Sequence, residues 1–400
     1  MKQLFIAAIS LLALSGGGAV GQGLPNLPDG VQPRHAYKPA TRMVEEPHAL
    51  ARRGTSIVST VTPLPSWDYS ITASADRGGG VYSGTILGRS PYLRGKTTTT
   101  IPTQIVPLII TITTPTSSVT YDPTAPDACL GGVSALDKLG NSPIFTNNSW
   151  TMNGVNVGNT QYIDAFQRAQ FWSLVGGTPY HLMLNKSNLP AQPLSFAMNG
   201  VNGGNFTFTG GCEPLGIVQI DDLDAAVQAL ITGPLAGMVN AGTFPVFLTK
   251  SVVSADGVPA LPNHCCILGY HSGLFVGGNL QVYSPLTYDA SGAFGDTDIS
   301  VMAHEMGEAV NDPTGINPTP AWGNIGQTVG FCQANFEVGD PLSPGFGTPT
   351  NSFVVGGYHL QEMAFFNWFF GGPSLGAGGA YSNNGTFLGD AKHCPPGGTN

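Results

Sequence analysis

Three titratable residues, His304, Glu305 and Glu308, form an H-E-x-x-E pattern in the last third of the chain. Residues four apart lie one above the other on a helix, so His304 and Glu308 can bind one metal ion while Glu305 lies beside them to handle protons. The pattern differs from the H-E-x-x-H zinc motif in its last ligand only. It therefore predicts the geometry of a metal-activated hydrolase.

The residues around this pattern favour a helix. Apolar side chains recur at helical spacing and make one face: Ile299, Met302, Met306, Ala309 and Val310. Three side chains can cap the start: Asp296, Thr297 and Asp298. Asp312-Pro313 ends the helix, because proline disfavours helical geometry in the preceding residue. The alternative is an ordinary helix with a solvated acidic face, although eight His and seven Glu in 400 residues give this pattern a chance expectation of only ~0.002.

The N-terminus has the features of an exported protein. Met1-Lys2, an apolar run over 4–14 and small residues before Gln22 predict a secretory signal peptide over 1–21. The run is too short to span a membrane. Residues 22–64 are rich in Pro, Arg and Lys, with Arg52-Arg53 as a processing point, and predict a flexible leader or pro-segment. Residues 65–400 are then one domain, β-rich at its start and Gly/Pro-rich at its end.

The six cysteines form an even set, which in an exported chain favours disulfides. We expect Cys129 to pair with Cys212, and Cys332 to pair with Cys394. Cys265 and Cys266 are adjacent, so they either bridge each other or find separate partners.

Charge excludes two classes of partner. Residues 1–100 hold 10 basic and 5 acidic residues, which leaves 5 basic against 19 acidic residues and a net charge of −14 for 101–400. A body this acidic argues against binding nucleic acid or an anionic membrane. No later segment is long and apolar enough to insert into a membrane.

Patterning along the chain predicts an α+β fold with a twisted mixed sheet, in which the helix of His304 is the active-site helix. Prolines within 97–120 are expected to confine parts of that segment to sheet edges. Strands are predicted over 97–120, 245–253 and 266–272, and helices over 160–172 and 217–231. A hairpin is predicted over 196–209 and a turn-rich stretch over 147–158. Regular structure is also expected over 358–370.

Several segments together resemble a family of secreted bacterial HExxE zincin-like metalloproteases, with a more distant similarity to the plant phosphate-induced, Exordium-type proteins. The segments occur in the family's order and span about 65–390: 82–91, 158–169, Gly269-Tyr-His271-Ser272, 304–313, Glu337-Val-Gly-Asp340 and Tyr358-His-Leu-Gln361-Glu362. Two departures concern the C-terminal part, where Asn367-Trp368 and Pro341-Leu342 replace the family's usual residues. The resemblance implies a zincin-like fold and a metal-dependent peptidase.

A catalytic zinc takes three protein ligands. His304 and Glu308 are two, and the resemblance offers Glu337 or Asp340 as the third, with a slight preference for Glu337. Asp312 is better suited to accepting hydrogen bonds at the helix end. Because Glu308 replaces a histidine, the site is harder and also suits Mn2+ or Ca2+ besides Zn2+.

In this interpretation Glu305 is the general base that activates water for attack on a peptide carbonyl of a protein or peptide substrate. By resemblance, His271 and Tyr358 are candidates for the oxyanion donor, although a lone histidine at a strand end is more often simply hydrogen-bonded in place. The aromatic run 365–370 is more typical of a core than of a substrate platform.

The competing hypothesis is an extracellular wall-associated or binding protein whose metal only braces a zincin scaffold. Glu305 discriminates between the two, because a structural metal site does not need a general base.

Overall fold

The computed structural model describes residues 24–28, 31, 41–42, 61–93, 98–294, 298–323, 332–343 and 352–386. The predicted signal peptide, the possible caps Asp296 and Thr297, and Cys394 all lie outside these residues. Two parts of the predicted leader lie against the body: Thr41–Arg42 pairs with a strand, and Leu27 packs with Leu215 in a buried apolar cluster.

The described elements are mostly strands. The strands are β1 Thr41–Arg42, β2 Ser66–Thr72, β3 Val81–Leu87, β4 Thr98–Thr113, β5 Ser118–Tyr121, β6 Asn148–Met152, β7 Val155–Thr160, β8 His181–Asn188, β9 Gln192–Ala197, β10 Gly204–Phe206, β11 Leu215–Gln219, β12 Phe244–Lys250, β13 Val252–Ala255, β14 Cys265–Ile267, β15 Ser272–Val276, β16 Asn279–Tyr288, β17 Pro318–Trp322, β18 Gln333–Asn335, β19 Ser352–Val355 and β20 Tyr358–Gln361. The helices are α1 Ala135–Gly140, α2 Tyr162–Gln170, α3 Trp172–Val175, α4 Ile220–Thr232, α5 Ser300–Asn311 and α6 Phe366–Phe370, and short 3-10 turns cover Ala75–Arg77, Pro91–Leu93, Ala128–Leu130, Asp340–Leu342 and Ala377–Gly379.

The largest sheet is mixed and curled, as expected for an α+β protein. Its strands lie in the order β1, β15, β16, β12, β4, β5, and β8 and β9 both pair with β4. The pairs β12 with β16 and β12 with β4 are parallel, whereas β15 with β16 is antiparallel. A smaller sheet contains β10, β11, β13 and β14.

The prolines of β4 do not place the whole strand at an edge of the sheet, but each lies where β4 has no paired neighbour on one side, as the prediction for parts of this segment requires. β4 pairs along one side with β8 and then β9, and along the other with β12 and then β5. Pro102 lies just before the β12 pairing starts, and Pro107 lies between the β8 and β9 segments. Each proline thus occupies a position with a paired neighbour on one side only, where its missing N–H is tolerated.

Two buried clusters lie along β4. Ile101 and Ile105 belong to one of them, which also receives the apolar face of α5. Val106, Leu108, Ile110 and Ile112 belong to the other, together with α4. The aromatic residues over 365–370 are buried in the first cluster, so the prediction that they form core is confirmed.

The helix predictions were right in type and less accurate at the ends. α2 falls within the predicted helix 160–172, and α5 ends at Asn311, directly before Asp312-Pro313. The predicted helix 217–231 begins too early, because residues 215–219 form β11, parallel to β13. Short apolar runs buried in a parallel sheet cannot be distinguished from helix by periodicity alone.

Three other segments differ from their predicted structure. The proposed hairpin 196–209 is divided between two sheets, because β9 pairs with β4 and β10 pairs with β11. The turn-rich stretch 147–158 is instead the hairpin β6–β7, with Asn153 and Gly154 at positive φ in its turn. The predicted strand 266–272 ends at Ile267, and His271 lies in the connection to β15.

The disulfide prediction for Cys129 and Cys212 is confirmed, with an S–S distance of 2.08 Å. Cys265 and Cys266 bond to each other. Cys332 is disulfide-bonded, and its predicted partner Cys394 lies outside the described residues.

Loss of the Cys129–Cys212 bond is expected to destabilise the protein by about 2–5 kcal/mol, since it closes a loop with a sequence separation of 83 residues. Urea unfolding of the Cys129→Ala/Cys212→Ala double variant beside the unmodified protein measures this difference. An unchanged unfolding midpoint would contradict the expectation.

Candidate metal centre

The helix α5 buries all three residues of the H-E-x-x-E pattern. His304, Glu305 and Glu308 are 1%, 4% and 3% exposed. Buried polar groups are stable only with hydrogen-bond or ionic partners. The partners come from β20, from the connection between β14 and β15, and from residues 337–343.

His304 is oriented by a chain of hydrogen bonds. Its Nε2 lies 3.0 Å from Glu308 Oε1 and 3.3 Å from Asp340 Oδ1, and its Nδ1 lies 3.0 Å from Gln361 Oε1. The Gln361 amide nitrogen donates to Gly339 O at 2.8 Å and to Ser343 Oγ at 2.6 Å. This assigns the Gln361 oxygen as the acceptor of an Nδ1–H, which leaves Nε2 as the candidate ligand atom.

The loop around Gly339 fits closely against the helix. The backbone N–H groups of Gly339 and Asp340 donate to Glu308 Oε1 at 3.0 and 3.2 Å. A Cβ at Gly339 would lie only 2.4 Å from His304 Nδ1. Glycine is thus required here by the close approach of the backbone to the imidazole.

His271 faces the same cluster from the other side. Its Nδ1 lies 3.3 Å from Glu305 Oε2 and 3.7 Å from Glu308 Oε2, and its Nε2 lies 3.5 Å from Glu337 Oε2. Within the described part of the chain, His271 Nε2 and Glu337 Oε2 have no hydrogen-bond partner. Two buried polar atoms that face each other without a hydrogen bond are what a missing cation would leave.

Two side chains fix the carboxylates of residues 337 and 340. Asn335 Nδ2 donates to Glu337 Oε1 at 2.6 Å, and Gln333 Nε2 donates to Asp340 Oδ2 at 2.9 Å. In each carboxylate the other oxygen is the one that faces a histidine. Both donors are on β18, so this strand orients two candidate ligands at once.

Burial and mutual repulsion act on the acidic groups. Burial raises the pKa of Glu337 well above its ordinary value, and Glu308, Asp312 and Asp340 raise it further. Burial also raises the pKa of Glu308. For His304 burial lowers the pKa, but Glu308 and Asp340 raise it more, and the net pKa is well above the ordinary value. A bound divalent cation would favour the charged form of these carboxylates and so oppose the effect of burial on their pKa values.

No basic side chain is supplied by the surrounding sequence. Residues 251–391 contain neither Lys nor Arg. By contrast, Asp127 and Glu213 elsewhere in the fold both bind Lys250. The absence of basic residues over 251–391 is a feature of the sequence that favours a cation site in this part of the chain.

The structure brings together His271, His304, Glu305, Glu308, Glu337 and Asp340. One ligand atom from each of His271, Glu308 and Glu337 lies within 4.8 Å of the other two, and the same holds for His304, Glu305 and Glu308. Gln361 is a further residue of this candidate site, through its contact with His304, and sequence reasoning missed it although it lies in a segment that carried the resemblance.

Three other residues have their hydrogen-bond or ionic partners outside this group, although the charge of Asp312 also acts on His271 and Glu337. The Tyr358 hydroxyl donates to the Lys138 carbonyl at 3.0 Å rather than to a member of the cluster. His359 Nδ1 lies 3.3 Å from Asp298 Oδ2. Asp312 accepts from the N–H groups of Ile316 and Asn317, which makes it the predicted acceptor at the helix end.

Comparison of the chain with protein-family models, with curated proteins and with solved structures gave no match. Among the described helices, none has the length and apolar character needed to cross a membrane.

Proposed function

We propose that this protein is an exported metal-dependent peptidase with a zincin-like catalytic arrangement. The observation that carries the proposal is the contact between His304 and Glu308, 3.0 Å apart on one turn of α5, with Asp340, Glu337 and His271 converging on them. The predicted signal peptide supports export, and the acidic body argues against nucleic acid or an anionic membrane as the partner.

The residues fit a divalent cation. His304, Glu308 and Asp340 would hold it. His271 Nε2 and Glu337 Oε2, which have no hydrogen-bond partner in the described structure, are further donor atoms. Imidazole and carboxylate donors suit Zn2+, and the excess of carboxylates also suits Mn2+ or Ca2+. When bound, such a cation lowers the pKa of a coordinated water and polarises a carbonyl.

Glu305 is the residue that moves the proton. Its carboxylate lies between the two histidines, with Oε2 3.3 Å from His271 Nδ1 and Oε1 4.0 Å from His304 Nε2. It takes a proton from the attacking water and returns it to the leaving amine. His271 holds one oxygen of this carboxylate and leaves the other for the reaction.

Chelation tests the proposal directly. The purified protein is expected to hydrolyse an unfolded protein substrate, to lose this activity on dialysis against a chelator, and to regain it when Zn2+ or Mn2+ is added back. Metal content is measured on the same samples. Full hydrolysis by protein shown to contain no metal would overturn the proposal.

One observation favours a second function, a binding protein braced by a metal. Each group of the cluster is only 1–6% exposed, as in a closed structural site. For such a protein, chelation would lower the thermal midpoint of unfolding, and no hydrolysis would be detected before or after metal removal.

A further inference from the structure

We infer that the cluster binds two divalent cations that share Glu308, one held with His304 and Asp340 and the other with His271 and Glu337. The inference rests on the proposed function, since it concerns the same site. It changes the assignment of ligands, because Glu337 and Asp340 are then not alternatives for one position.

The two oxygens of Glu308 face different histidines. Oε1 lies 3.0 Å from His304 Nε2, and Oε2 lies 3.7 Å from the nearer nitrogen of His271, Nδ1. His271, Glu308 and Glu337 each offer one ligand atom within 4.8 Å of the other two. In two-metal hydrolytic sites the ions are about 3.5–4 Å apart, a separation that a carboxylate spans with one oxygen on each ion. Glu308 has the placement of such a bridge.

Each side of Glu308 has a further carboxylate of its own. Asp340 Oδ1 lies 3.3 Å from His304 Nε2, and Glu337 Oε2 lies 3.5 Å from His271 Nε2. The half around His304 therefore contains Asp340, and the half around His271 contains Glu337. Each half also receives one oxygen of the shared Glu308. Nitrogen and oxygen donors in this ratio are suited to Zn2+ or Mn2+.

The second half carries two unsatisfied atoms. His271 and Glu337 are 5% and 3% exposed, and in the described structure His271 Nε2 and Glu337 Oε2 have no hydrogen-bond partner. Their other polar atoms are occupied, since His271 Nδ1 contacts Glu305 and Glu337 Oε1 accepts from Asn335. A histidine held by a carboxylate at one nitrogen and open at the other is the usual form of a metal ligand.

The charge of the cluster also favours two ions. Four carboxylates lie within 4.0 Å of the two histidines: Glu305, Glu308, Glu337 and Asp340. Counted over these four carboxylates and two neutral histidines, without the nearby buried Asp312, one divalent cation leaves two negative charges and two divalent cations leave none. Buried charge without compensation is strongly unfavourable.

Metal stoichiometry tests the inference without an activity assay. The purified protein is stripped with a chelator, loaded with Zn2+ and measured by native mass spectrometry. We expect two ions per chain, and one ion in His271→Ala, in Glu337→Ala and in Asp340→Ala. The matched histidine control is His359→Ala, which is expected to keep two ions, because His359 contacts Asp298 outside the cluster.

Loading the unmodified protein with Mn2+ gives a second measurement that needs no variant to fold. Two ions bridged by Glu308 are expected to show an exchange-coupled electron paramagnetic resonance signal. One ion per chain would overturn the inference and leave the single-metal peptidase intact, and two ions without coupling would overturn the sharing of Glu308. No bound ion would overturn both the inference and the proposed function.

Discussion

Glu305→Gln is expected to lower the rate of peptide hydrolysis by about 10²- to 10⁴-fold while metal content and fold stay unchanged. The amide has the shape of the carboxylate but cannot accept the proton of the attacking water. Its oxygen can still accept a hydrogen bond from His271 Nδ1, which lies 3.3 Å from Glu305 Oε2. The measurement is turnover of an unfolded protein substrate, with metal content determined on the same sample.

A matched control for this variant is Glu362→Gln. Glu362 is equally buried, but its carboxylate accepts from the backbone N–H groups of Asn384 and Thr386 at 3.0 and 3.1 Å, away from the cluster. It is expected to retain the catalytic rate. If Glu305→Gln turned over substrate at the unmodified rate, Glu305 would not be the base; if it lost the metal, Glu305 would be a ligand.

Gly339→Ala is expected to weaken metal binding by at least about 10- to 100-fold, the usual effect of disturbing a residue that supports a metal ligand. The new Cβ would lie 2.4 Å from His304 Nδ1, so either the imidazole or the loop must move. Both movements disturb the site, because the loop carries Asp340 and donates two hydrogen bonds to Glu308 Oε1. The measurement is competition for Zn2+ with a chelator of known affinity.

Gly237→Ala is the control for the glycine substitution itself. A Cβ there meets no atom within 4 Å, so unchanged affinity is expected. Equal Zn2+ affinity in Gly339→Ala and Gly237→Ala would show that the close approach to His304 does not matter for the metal.

The helix of the site was predictable because two independent patterns agree over it. Apolar residues at helical spacing supply the buried face of α5, and Asp312-Pro313 ends it. The strand β11 was missed because Ile217 and Val218 continue directly into the apolar face of α4, and a strand buried in a parallel sheet lacks alternation.

The arrangement of the candidate ligands was only partly predictable. Glu337 and Asp340 are three residues apart in sequence, yet their carboxylates face different histidines. They lie in a loop and a single 3-10 turn, which have no periodicity from which side-chain direction can be derived. The contact of Gln361 with His304 spans 57 residues and depends on how β20 packs against α5.

The long strand β4 has a consequence for local opening of the fold. Its first half contributes to the cluster that contains α5, and its second half to the cluster that contains α4. Separation of β4 from its neighbours would expose apolar surface of both clusters to water in one event. The free energy of that opening is therefore expected to approach the free energy of global unfolding, so α5 packs on a part of the described sheet that is expected to open only with the whole fold.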